Sequence, residues 1–159
     1  MAAARVGLGV IAIGAAATVA SGVSYASIPA RSGPVHKSAS ASPIVAMAST
    51  PDGKGYWFAT AKGHIYRYGD AKFLGSVKTA PASPIVAMSR TPLGTGYWLV
   101  TAKGSVFTYK AKSYGSLSKA PGSPVVAMAS TPDGKGYWIV TAKGHIYHYG
   151  DAKNWGSVT

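Results

Sequence analysis

Residues 43–77 read PIVAMASTPDGKGYWFATAKGHIYRYGDAKFLGSV, and the chain writes closely related text twice more. Pro43, Pro84 and Pro124 open the three copies and Trp57, Trp98 and Trp138 mark their middles, both sets spaced by 41 and then 40 residues. Residues 42–77 match residues 123–158 at 30 of 36 positions. A period of about 20–50 residues signals stacked units, none of which can bury its own faces alone. Pro43 to Ser49 is a continuous small apolar run, the pattern of a strand covered on both faces. After the turn Pro51-Asp52-Gly53-Lys54-Gly55, Tyr56 to Thr60 is an aromatic second strand, ended by Ala61-Lys62-Gly63. In the third strand Tyr66 and Tyr68 share one face and Ile65 and Arg67 the other, at the strand period of two. Phe73 to Val77, beyond the Gly69-Asp70 turn, reads as a fourth strand. Four strands in about 40 residues is the measure of one β-propeller blade.

The expected fold is therefore all-β: three four-stranded propeller-like blades at 43–82, 83–122 and 123–159, forming a partial or oligomer-completed β-propeller. Three blades leave two open faces. If each exposes roughly 500 Å² of apolar surface, about 12 kcal/mol per face is forgone at about 25 cal/mol per Å². That is comparable with the whole net stability of a domain, so such a set should find further blades. Two chains would supply six, within the usual range of about four to eight. The alternative is a β-trefoil, also built from three four-stranded units, which closes by itself.

The composition agrees with many short strands. The 159 residues are 47% apolar and 13% charged, too apolar for a disordered chain and too weakly charged for a coiled coil. Gly 20 and Pro 10 supply dense punctuation. Cysteine is absent, which excludes disulfides, thiolate metal sites and thiol nucleophiles. The only acids are Asp52, Asp70, Asp133 and Asp151, against sixteen Lys and Arg, for a net charge of +12. This balance weakens most hydrolase and carboxylate–metal readings and favours a binding or structural protein with an anionic neighbour.

The block IVAMASTPDGKGYWFATAKGHIYRYGDAKFLGS resembles a repeat of exported actinobacterial proteins, with a GYW-[LI]-V core, a Gly-rich turn, an aromatic strand and a GDA-x-[FY]-x-GS close. The resemblance covers residues 43–159 and implies propeller-like blades and export. The family repeat often accompanies cell-wall or hydrolase domains. Two features depart from it. The acidic Ser-Asp-Gly-Gly turn of the family is here Ala-Lys-Gly, at Lys62, Lys103 and Lys143, and there are only three repeats.

The first thirty residues are a separate object, an expected signal or transmembrane anchor helix. Val6 to Ala30 carries no charge and is bounded by Arg5 and Arg31; a bilayer span needs about 20 apolar residues. As a signal peptide, Arg5 is the basic region, residues 7–20 the apolar one and Ser24-Tyr25-Ala26 the cleavage site. As a retained anchor, Tyr25 sits at the interface and Pro29 ends the helix. Gly14, Thr18 and Gly22 then share a face on which a second helix can pack closely. Both readings export the rest, and membrane-anchored and secreted forms stay open. Residues 31–42 are a polar linker, or at Gly33 to Lys37 a closing strand.

Four sets of residues are candidates for function. All four aspartates read first as turn formers. The middle repeat replaces Asp52 by Leu93 and puts Lys110 where Gly69-Asp70 stands, which a repeated catalytic or Ca²⁺ site would hardly tolerate. His64 and His145 recur, but Ser105 fills that place in the middle, so no metal or other cofactor is expected. No Ser/His/Asp set points to a nucleophile, and no catalytic residue is expected. The aromatic pairs Tyr56-Trp57, Tyr97-Trp98 and Tyr137-Trp138 read as inter-blade core, or as stacking surfaces for sugar rings or bases. Lys62, Lys103 and Lys143 in the second-to-third turns, with Lys78 and Lys119 in the connections, gather on one rim free of acids, a candidate anion- or membrane-facing surface. The other rim mixes lysines with all four aspartates.

These features predict a non-catalytic extracytoplasmic scaffolding subunit, a homo-oligomer or part of a larger membrane or cell-surface complex. The alternative is a secreted carbohydrate- or cell-wall-polymer-binding module with a cationic face. Anionic lipid or wall polymer fits the basic rim; export argues against nucleic acid.

Overall fold

The computed structural model describes residues 42–158. The expected anchor helix, residues 31–41 of the expected linker, and Gly14, Thr18 and Gly22 lie outside the described residues. Among the described residues no helix is long and apolar enough to cross a membrane.

The described chain is all-β. Nine strands form three antiparallel sheets, one per repeat, each in sequential order. The first sheet is β1 (Ile44–Ser49), β2 (Gly55–Thr60) and β3 (Ile65–Gly69). The second is β4 (Ile85–Arg90), β5 (Tyr97–Thr101) and β6 (Val106–Tyr109). The third is β7 (Val125–Ser130), β8 (Gly136–Thr141) and β9 (Ile146–Gly150). Tight turns set the register. The Thr50 hydroxyl donates to Asp52 Oδ1 at 2.8 Å, the Lys54 amide donates to the same oxygen at 3.2 Å, and Gly55 N–H donates back to Thr50 Oγ1 at 2.9 Å. Gly53 meanwhile takes the left-handed φ of 72° that this turn requires. Thr131, Asp133, Lys135 and Gly136 repeat the arrangement.

Each sheet has three laddered strands, not the four expected. The predicted fourth strand fails at its own glycine. Gly75, Gly115 and Gly156 take φ of 141°, 127° and 100°, which bends the chain out of the ladder. What remains is a tether: Val77 N–H donates to Gly63 O at 3.1 Å, and Ser76 Oγ bridges Ile65 N–H and Gly63 O. Leu117 and Val158 make the same bond to Gly104 and Gly144.

The sheets pack in chain order. In register, Tyr56 pairs with Tyr68 and Trp57 with Arg67, so the tyrosines of β2 and β3 share one face and Trp57 looks the other way. Between the first and second sheets, Trp57, Ala59 and Ile65 meet Ile85, Tyr97 and Leu99. Between the second and third, Trp98 and Val100 meet Val125, Tyr137 and Ile139. The Ile85 amide donates to Ala61 O and the Val125 amide to Ala102 O, at 2.8 and 2.9 Å, tying each repeat to its predecessor. Among the described residues no strand of the first repeat contacts a strand of the third. The expected covering of the first strand on both faces is therefore local. Ile85, Ala87 and Met88 of β4 are buried, whereas Ile44 and Met47 of β1 are more than half exposed.

Candidate functional site

The inter-sheet junction is built twice from the same parts. Trp57 and Tyr97 lie with ring centroids 5.9 Å apart and planes inclined at 57°; Trp98 and Tyr137 repeat this at 5.6 Å and 56°. Each indole N–H donates to a carbonyl of its own repeat, Trp57 to Lys72 and Trp98 to Lys112. Each tyrosine hydroxyl reaches back across the junction, Tyr97 to the Gly75 carbonyl and Tyr137 to the Gly115 carbonyl. Burial pushes the Tyr97 phenol up to about 12, with the facing Tyr109 adding to it. Every buried side-chain nitrogen or oxygen among the described residues has a partner.

The six candidate aromatics thus divide by position. Trp57, Tyr97, Trp98 and Tyr137 are junction core. Tyr56 and Trp138 are only partly covered, because each faces away from the other two repeats. Around Tyr56, Phe58 and Tyr68 form a small aromatic cluster, with centroid separations of 5.1 to 5.8 Å. The Trp138 indole N–H donates to the Lys153 carbonyl, and two residues further on Trp155 is 80% exposed. Sequence reasoning missed Tyr68 and Trp155 as surface features. Their places in the repeat give them away, since Tyr109 and Tyr114 hold the same positions half-buried at a junction.

Lys62, Lys78, Lys103, Lys119 and Lys143 are all exposed. The Val77–Gly63 and Leu117–Gly104 bonds bring Lys78 and Lys119 to the rim that carries Lys62 and Lys103. The aspartates are held in turns on the other rim. Asp52 and Asp133 pair with Lys54 and Lys135 at 3.7 and 3.3 Å, both in water. Hydrogen bonds from the Lys135 amide and the Thr131 hydroxyl hold the Asp133 carboxyl down at about 2. A groove of about 420 Å³ between the first two repeats includes Asp52, Asp70, Trp57 and Leu93, and of its two acids Asp52 already accepts a hydrogen bond within its turn. His64 and His145 stand edge-on to Tyr66 and Tyr147. Among the described residues no three His, Cys, Asp or Glu side chains gather where a metal ion could sit.

No family model matches the chain, and no curated protein matches it. Among solved structures, a chain of the Kuenenia stuttgartiensis hydrazine synthase is similar in fold, with a TM-score of 0.52 over 74% of this chain. The match spans 35% of that chain at 18% identity, a likeness of fold and not of chemistry.

Proposed function

We propose that this chain is a non-catalytic scaffolding subunit, exported and held at a membrane by residues 6–28, that assembles with other subunits through the faces of its sheets. The observation that carries this is the pair of open end faces, around Tyr56 and around Trp138, each with aromatic surface of the kind that forms the two internal junctions. The three sheets act as propeller-like blades. The lack of contact between first and third repeats supports an open set of blades over a closed trefoil. Asp52 and Asp133, committed to their turns, support a non-catalytic reading. Gentle extraction of the full chain from membranes tests it. The chain should emerge in a complex heavier than one copy, and Val10→Asp with Ile13→Asp should prevent membrane retention, because a charge at a helix centre costs about 2.5–3.5 kcal/mol on insertion scales. A soluble, solitary chain would overturn the proposal.

The five exposed lysines on an acid-free rim favour a second reading, a secreted module that docks on acidic wall polymer or anionic lipid. Near an anionic lipid surface each is worth about 1 kcal/mol. Binding to anionic vesicles or wall polymer should fall with salt and with Lys62, Lys103 and Lys143 changed together to Glu. Binding that ignores both would leave these lysines as solubilising charge.

A further inference from the structure

We infer that the partner at the open faces is a second copy of this chain, docked head to tail, with the third repeat of one copy receiving the first repeat of the next. This deepens the assembly reading and rests on it. The inference comes from matching what each junction uses with what each end leaves open.

A junction has three fitted contacts. A tryptophan of the earlier repeat stacks at an angle on a tyrosine of the later one, whose hydroxyl bonds a glycine carbonyl, as in Trp57–Tyr97–Gly75 and Trp98–Tyr137–Gly115. A second tyrosine lies flush on that glycine, Tyr109 on Gly75 and Tyr149 on Gly115, so closely that a side chain there would strike the ring. In the turn, a proline of the earlier repeat sits on a glycine of the later one, Pro51 on Gly94 and Pro92 on Gly134.

The two ends hold the separated halves of all three contacts. The third repeat offers Trp138, Gly156 and Pro132; the first offers Tyr56, Tyr68 and Gly53. Both glycines are open: a Cβ on Gly156 or Gly53 would meet nothing within 4 Å, unlike their counterparts Gly75, Gly115, Gly94 and Gly134. Trp155 completes the set. Its counterpart Tyr114 lies 5.8 Å from Tyr137 and donates to Gly134 O at 3.0 Å, while Trp155 stands exposed where Tyr56 of another copy would lie. The first and third repeats differ at six of 36 positions, and at the new junction Ile44 and Phe58 of the first repeat stand where Val125 and Ile139 stand in the internal one. A face-to-face pairing of two Tyr56 ends would supply neither the tryptophan nor the glycine carbonyl. The contact is heterologous, and it closes into a ring where the rotation between copies permits.

The test uses the full 159-residue chain in mild detergent, with mass measured by sedimentation. The wild type should assemble. Tyr56→Glu and Trp138→Glu should each weaken assembly at least about thirtyfold, the scale of a truncated interface hot spot. Mixing the two variants should restore a pair, because Trp138 of the first variant still faces Tyr56 of the second. That recovery also shows that both variants are folded. Tyr56→Phe, which loses only the hydroxyl bond, should weaken assembly about two- to tenfold. A monomeric wild type, dissociation by one Glu variant only, by neither, or a mixture that stays monomeric would each overturn head-to-tail docking. If copies stay single while the chain still leaves the membrane bound to different subunits, the scaffolding reading stands and this inference falls.

Discussion

The middle repeat and its two neighbours are built from nearly one sequence, yet the same aromatic pair has three fates. In the middle, Tyr97 and Trp98 are both fully buried. In the first repeat only Trp57 is, and in the third only Tyr137. The difference lies in neighbours, since tyrosine always looks back along the chain and tryptophan always looks forward. Burial is here a property of position in the stack, as expected where stability is a sum of repeat and junction contributions. Local turn quality runs the other way. The first and third repeats keep the aspartate-capped turn, whereas the middle repeat has Leu93 there, 81% exposed, and Lys110 forced to a φ of 51°. The repeat with most junction surface carries the poorer turns.

Truncation of the tryptophans breaks the comparison most directly. Trp98→Ala should cost about 3–5 kcal/mol in urea unfolding, because it empties a packed junction. Trp138→Ala, measured on unassembled chain, should cost about 1 kcal/mol or less, as for a surface side chain. Equal losses would mean that position in the stack does not govern burial energy.

Alkali should probe the junctions next. The folded Tyr97 phenol titrates near 12, above the ordinary value of 10.0. Between these values the unfolded chain has already lost the proton that the folded chain keeps. Junction stability should thus be intact below pH 10 and fall as pH rises towards 12. Melting temperature followed across that window should drop, and Tyr97→Phe should flatten the drop even though it lowers the starting stability by removing the bond to Gly75.

The smallest effect sharpens the turn side of the comparison. Lys110→Gly relieves a left-handed backbone that costs a side-chain-bearing residue about 1–2 kcal/mol. Offset by the greater freedom of glycine when unfolded, the net gain should be about 0.5–1 kcal/mol. No gain would show that the middle turn is held by something other than local preference.

Much of this is legible in the sequence. The 41- and 40-residue spacings announced three units, and the alternation Ile65-Tyr66-Arg67-Tyr68 assigned opposite faces correctly. The fourth strand was misread because Phe73, Leu74 and Val77 look like strand residues, while the central Gly75 looks merely permissive. Its φ of 141° recurs as a positive φ at Gly115 and at Gly156, where a Cβ would meet nothing within 4 Å, so the bend belongs to the glycine's own backbone freedom and not to the residue types around it. The turn positions of Lys62, Lys103 and Lys143 were legible from the repeat alone. Which aromatics would be covered was not, because Tyr56 and Tyr97 differ only in what precedes them in space.

The serine that follows that glycine has a consequence for handling the chain at high concentration. In every repeat it occupies the first amide of the outermost strand: Ser76 takes that of Ile65, Ser116 that of Val106 and Ser157 that of Ile146. An outer strand with free amides is a template on which another strand can grow, the usual seed of fibrous aggregates. Here the template is blunted at its starting point by a hydroxyl, and interrupted further along by Arg67 in the first repeat and His148 in the third. The molecule can therefore leave the faces of its terminal sheets open while the outer edges of those sheets are blunted at their first amide.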